Sequence, residues 1–190
     1  VVAESVQRLV LKPHVTESDF ELAAWEHNWL IREMGEEEAG ALVDTWATAD
    51  GGTIIRFVND SPIGLNYVRV HGDAADLVAQ QIREDLELWS VSEALDALRK
   101  AESLGDKRVA LFAAALTAPV TPDHEVVGRL RDAAADPDVN LRRSFVEAVG
   151  YLPWPQLVEH VDELSRNDPD PVVRDDARLL LEGIRLHGTE

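Results

Sequence analysis

Residues 168–184 read DPDPVVRDDARLLLEGI, and residues 136–152 read DPDVNLRRSFVEAVGYL. Both stretches set an Asp-Pro step before an arginine-bearing apolar run. In the later one, Val173, Ala177, Leu180, Leu181 and Ile184 fall at spacings of 0, 4, 7, 8 and 11, a single stripe of an α-helix. The stripe returns 32 residues earlier as Leu141, Phe145, Ala148, Val149 and Leu152. A further 32 residues back it is Val109, Ala113, Leu116, Thr117 and Val120, weakened by the polar Thr117. Asp106, Asp138 and Asp170 stand three residues before these stripes, where a carboxylate accepts a bond from a free first-turn N–H. Pro171 then falls at the first helical position, which needs no N–H.

Each of these helices is preceded by another. Its stripe reads Ala94, Leu98, Ala101, then Val126, Leu130, Ala133, then Leu157, Val161, Leu164, at offsets of 32 and 31. Starts are signalled by Ser90 with Glu93, a capping box, by Thr121-Pro122 and by Pro155. The pattern predicts a helix–turn–helix unit about three times over from residue 90 onward. A period in the low thirties with two helices per unit implies an α-solenoid.

ADPDVNLRRSFVEAVGYL and NDPDPVVRDDARLLLEGI resemble HEAT repeats, particularly the short HEAT-like type of the phycobilisome lyases. The resemblance implies a ladder of ion pairs between neighbouring repeats, made by an Asp in the inter-helix turn and an Arg six residues later. Asp136 with Arg142 and Asp168 with Arg174 match that pattern, and the first unit departs from it with Leu104 and Ala110. A local pair between residues four apart, Asp138 with Arg142 or Asp170 with Arg174, is the competing reading. The family implies architecture and says little of activity, because such repeats serve many functions.

The first 89 residues have a different texture. Thr16 to Met34 reads as one helix carrying Phe20, Ala24, Trp25, Trp29 and Ile31, with Trp25 and Trp29 four apart on a shared face, and the run Glu36 to Glu38 follows. Leu42 to Thr48, Thr53 to Val58 and Ile63 to His71 read as three strands, joined by DGG at 50–52 and NDSP at 59–62. Asp73 is placed as the cap of a helix reaching about Leu88. The expected fold is therefore mainly helical α+β. Residues 1–89 form an α-β-β-β-α unit around a three-stranded antiparallel meander, and 90–190 form the repeats. The simplest role of the first unit is to cover the apolar end of the array.

Composition narrows the partners. The 190 residues carry a net charge of −18, divided as −11 over residues 1–90 and −7 over 91–190. Such a field repels phosphate backbones and anionic membranes, so neither nucleic acid nor a membrane is expected as partner. No run approaches the ~18 apolar residues of a membrane span. The opening VVAESVQRLV lacks a cationic region followed by an apolar one, so no export signal is expected there. There is no cysteine, hence no disulfide framework or thiolate chemistry, and a cytoplasmic setting is expected.

Motifs of catalysis are absent. The six histidines, His14, His27, His71, His124, His160 and His187, form no short zinc pattern. The paired aspartates 136/138 and 168/170 enclose proline and lack the glycine and terminal glutamate of a calcium loop. No nucleophile elbow, Walker sequence or dinucleotide fingerprint occurs, and no cofactor is expected. The expectation is a non-enzymatic protein-interaction module whose partner is another protein. Arg143 and Arg178, projecting from second helices, and Trp154, set between prolines at a turn, are the candidate binding residues. An alternative is an acidic inhibitor or immunity-type protein meeting a basic enzyme through Glu36, Glu37, Glu38, Asp44 and Asp60. A third is a lyase-like accessory with an apolar pocket between the sheet and the first repeat.

Overall fold

The computed structural model describes residues 6–187, and the side chain of His187 lies outside that description. The export-signal expectation rests partly on residues 1–5, which also lie outside it. The chain divides into two compact units, with the division between Trp89 and Ser90. No described helix is long and apolar enough to cross a membrane.

The first unit holds β1 (Gln7–Val10), α1 (Glu17–Glu26), β2 (Leu30–Glu38), β3 (Ala41–Ala47), β4 (Thr53–Asp60), β5 (Leu65–Gly72) and α2 (Ala75–Asp85). The strands form one antiparallel sheet in the order β1-β5-β4-β3-β2. Alternation decides which side chains meet the helices. Leu9, Trp46, Ile55, Phe57, Val68 and Val70 are buried in one cluster with Phe20 and Ala24 of α1 and Val78, Ala79 and Ile82 of α2. Phe20 is its centre, with ring centroids 5.0 Å from Phe57, 6.0 Å from Trp46 and 6.2 Å from Trp29.

The three expected strands are present, but the sheet has two more. The helix expected over Thr16 to Met34 ends at Glu26. Asn28 adopts φ 57°, and the N–H groups of Asn28 and Trp29 bond the carbonyls of Trp25 and Ala24 at 3.1 and 2.8 Å. That is a Schellman closure with asparagine in the left-handed position. The chain leaves it as β2, so Trp25 and Trp29 share no helix face: Trp29 is buried and Trp25 is 72% exposed. Asp73 does not cap α2, whose N-cap is Ala74 with no side-chain bond.

The second unit holds α3 (Val91–Lys100), α4 (Leu104–Thr117), α5 (His124–Ala134), α6 (Val139–Tyr151), α7 (Pro155–Asn167) and α8 (Pro171–His187). They pack as pairs, α3 with α4, α5 with α6 and α7 with α8. Across the pairs, α4 meets α6 and α6 meets α8, while α3 meets α5 and α5 meets α7. Two layers of three helices result. The stripes face inward: Ala113 and Leu116, then Leu141, Phe145, Ala148 and Val149, then Val173, Ala177 and Leu181 are buried, while Val109 is partly covered. Val120 departs, being 97% exposed, because α4 stops at Thr117.

The capping box at Ser90 and Glu93 is present, as are the Asp138 cap and the start at Pro155. Asp170 accepts the Val172 N–H at 2.8 Å at the head of α8. Two starts shift. Ser103 caps α4 and takes the Asp106 N–H at 3.1 Å, so Asp106 lies inside the first turn. Asp123 caps α5, beyond Thr121-Pro122.

Candidate functional site

The aspartates that precede the proline steps fold each turn back on itself. Asp136 Oδ1 accepts the Asp138 N–H at 2.9 Å, and Asp168 Oδ1 accepts the Asp170 N–H at 2.9 Å. The arginine six residues later clasps the same turn through its backbone. Arg142 Nη1 donates to the carbonyls of Asp136 and Pro137 at 3.0 and 3.1 Å, and Arg174 Nη1 to those of Asp168 and Pro169 at 2.6 and 3.1 Å. This leaves the rest of the guanidinium to reach the following unit. Arg142 Nε and Nη2 donate to Asp168 Oδ2 and Oδ1 at 2.8 and 3.0 Å, a bidentate fork between units. No ion pair forms between Arg142 and Asp138 or between Arg174 and Asp170 among the described residues. Lys107 stands in for the missing arginine of the α3–α4 pair, its Nζ donating to Asp136 Oδ2 at 3.1 Å.

Asp168 is nearly sealed from water, with 1% of its side chain exposed against 11% for Arg142. Burial pushes the Asp168 carboxyl up, but the bonds from Arg142 and the Asp170 N–H and the charges of Arg142 and Arg174 outweigh it and hold the group below the usual carboxylate range. Asp136 is also held low, first by the Asp138 N–H.

Two grooves flank this spine. The first, about 500 Å³, runs along the second helices and is lined by Leu104 and Arg108 of α4, Asn140, Arg143 and Glu147 of α6, and Asp176 and Leu179 of α8. Its walls are tied together: Arg108 Nε donates to Ser144 Oγ at 2.9 Å, and Arg143 Nε to Asp176 Oδ2 at 2.7 Å. Leu179 stands at its edge, 68% exposed. The second, about 750 Å³, lies by the turns and includes Arg131, Asp136, Arg142, His160 and Asp168. There Arg131 Nε donates to His160 Nε2 at 2.6 Å, which assigns the ring proton to Nδ1, 3.4 Å from Glu163. Burial, then the Arg131 charge, lowers the pKa of His160.

The expected binding residues separate. Arg143 lines the first groove. Arg178 does not, and it pairs with Asp175 at 2.7 Å on its own helix. Trp154, expected at the surface, is buried at 6% exposure, at the N-cap position of α7. Among the carboxylates of the acidic reading, Asp60 is buried, and Glu36 and Glu38 turn onto Arg56, with Glu38 also reaching Arg69 at 2.8 Å. Asp44 accepts the Gly35 N–H at 2.6 Å. Lys107 and Arg108 make bonds, and Leu179 lines the groove, at positions that no sequence motif marks. Among the described residues no three His, Asp or Glu side chains converge as metal ligands. Comparison with protein-family models, with curated proteins and with solved structures yields no match.

Proposed function

We propose that the protein is a non-enzymatic interaction module, a solenoid of three HEAT-like helix pairs that holds a segment of another protein against its second helices. The groove along α4, α6 and α8 supports this reading best. It joins an exposed leucine to an arginine-lined floor whose side chains are held by inter-helix bonds, so little ordering is left to occur on binding. An apolar anchor with a polar rim is the usual make-up of a protein-binding surface. The net charge of −18 favours a protein over a nucleic acid, and a chain without cysteine fits the cytoplasm.

The acidic-inhibitor reading draws on the same net charge, but Glu36, Glu38, Asp44 and Asp60 are engaged or buried, which leaves Glu37 as the carboxylate of that set without such a tie among the described residues. Affinity capture from native lysate at low and high salt separates the two. The groove reading expects a stoichiometric protein that Leu179→Arg loses at both salt concentrations and that Leu42→Arg, a change on the exposed part of β3, retains. A partner retained by Leu179→Arg and released by salt alone contradicts it.

A further inference from the structure

Arg142 and Arg174 are set alike, 32 residues apart. Each spends Nη1 on the two carbonyls of its own turn. Arg142 then fills Nε and Nη2 with the Asp168 carboxylate of the following unit. Among the described residues nothing fills the same two donors of Arg174, whose side chain is partly open to solvent. We propose that Arg174 is a receptor for the carboxylate of an aspartate carried on a turn of another protein, taken up as Arg142 takes up Asp168. The backbone clasp already fixes the guanidinium plane, so the fork is oriented before a ligand arrives.

The surroundings define the occupant. One and two turns beyond Arg142, α6 presents Val146 and Gly150, and a Cβ on Gly150 would lie 3.4 Å from Leu180 of α8, so this row seats an apolar helix closely. The matching positions of α8 are Arg178 and Glu182, both exposed. Charges there disfavour an apolar helix and suit a hydrophilic turn. A second copy of this chain fits poorly. Its Asp136 and Asp168 are already held by its own Lys107 and Arg142, and its α3–α4 pair has Leu104 where the aspartate would be. The proposed occupant is an exposed Asp-bearing turn of a different protein. The site stands apart from the groove along α4, α6 and α8, which Arg174 does not line.

The probe is a blocked peptide with the sequence of residues 163–172, ELSRNDPDPV, and a second in which its first aspartate is asparagine. Arginine Nε–H signals of the full ¹⁵N-labelled chain are followed by NMR as each is added. The aspartate peptide is expected to move the Arg174 signal saturably and to leave that of Arg142, an internal control for the intact array. The asparagine peptide is expected to bind at least about tenfold more weakly, since it loses the charge-assisted fork, and Arg174→Lys to bind the aspartate peptide no better than wild type binds the asparagine one. An Arg174 signal that stays still, or that moves equally with both peptides, overturns the assignment.

Discussion

The Asp168 carboxylate takes two N–H bonds from Arg142 of the preceding unit and one from Asp170 of its own turn, with almost no contact with water. Asp96, by contrast, pairs with Arg99 on the open surface of α3, where such pairs contribute little. The difference has a pH signature. Because its folded pKa is depressed, Asp168 stabilises the fold fully above the unfolded value near ~3.9 and loses that contribution as pH falls through the lower folded value. Asp136 adds to the same acid-side loss. Urea unfolding between about pH 5 and pH 2.5 is expected to show stability falling with acid in the wild type, and less steeply in Asp168→Asn, by about one proton taken up.

Among the elements, the turn between β2 and β3 carries a local cost. Ala39 sits at φ 51° and Gly40 at φ 87°, the left-handed pair that a two-residue hairpin requires. An alanine there costs about 1 kcal/mol, so Ala39→Gly is expected to raise stability by roughly 0.5 kcal/mol in denaturant unfolding. Gly72 marks the opposite case. Its φ is +120°, and a Cβ would lie 2.2 Å from the Gly52 carbonyl oxygen, so Gly72→Ala is expected to cost more than about 2 kcal/mol. The same hairpin explains where the sequence was hard to read. Helices α6 and α8 are legible because each buries one continuous stripe and opens on an Asp cap. Strand β2 buries almost nothing and is interrupted by register shifts, so it has no period, and Asn28, which ends α1, looks like any helical residue until its φ is known. The site is legible to the extent that it follows the repeat. Arg142, Arg143 and Asp168 lie in the repeated segment, whereas Lys107 falls out of register with the ladder and Arg108 bonds a serine that no motif distinguishes. Trp154 misleads because flanking prolines suggest an exposed turn, while the ring is large enough to be drawn into the core.

Across the whole molecule, charge is organised rather than spread. The excess of acidic groups is partly absorbed in the first unit, where Glu36 and Glu38 neutralise Arg56 and Arg69, and in the second unit carboxylates and cations alternate from helix pair to helix pair. The inner stripes supply most of the attraction between helices. The Arg142–Asp168 contact ties one pair to the next through a nearly buried carboxylate that costs stability if left unpaired, and the more open Lys107–Asp136 contact links the pair before it. A groove spanning three helices keeps its shape only if that step is held. The direct test is a double-mutant cycle on Arg142 and Asp168, with Arg142→Gln, Asp168→Asn and both together followed by urea unfolding. Each single change is expected to cost about 3 kcal/mol, since it strands a buried partner, and the double change less than their sum by about 2 kcal/mol. Single costs that add to within about 0.5 kcal/mol would mean that the two residues do not meet, and would contradict the packing of successive helix pairs on which the proposed interaction surface depends.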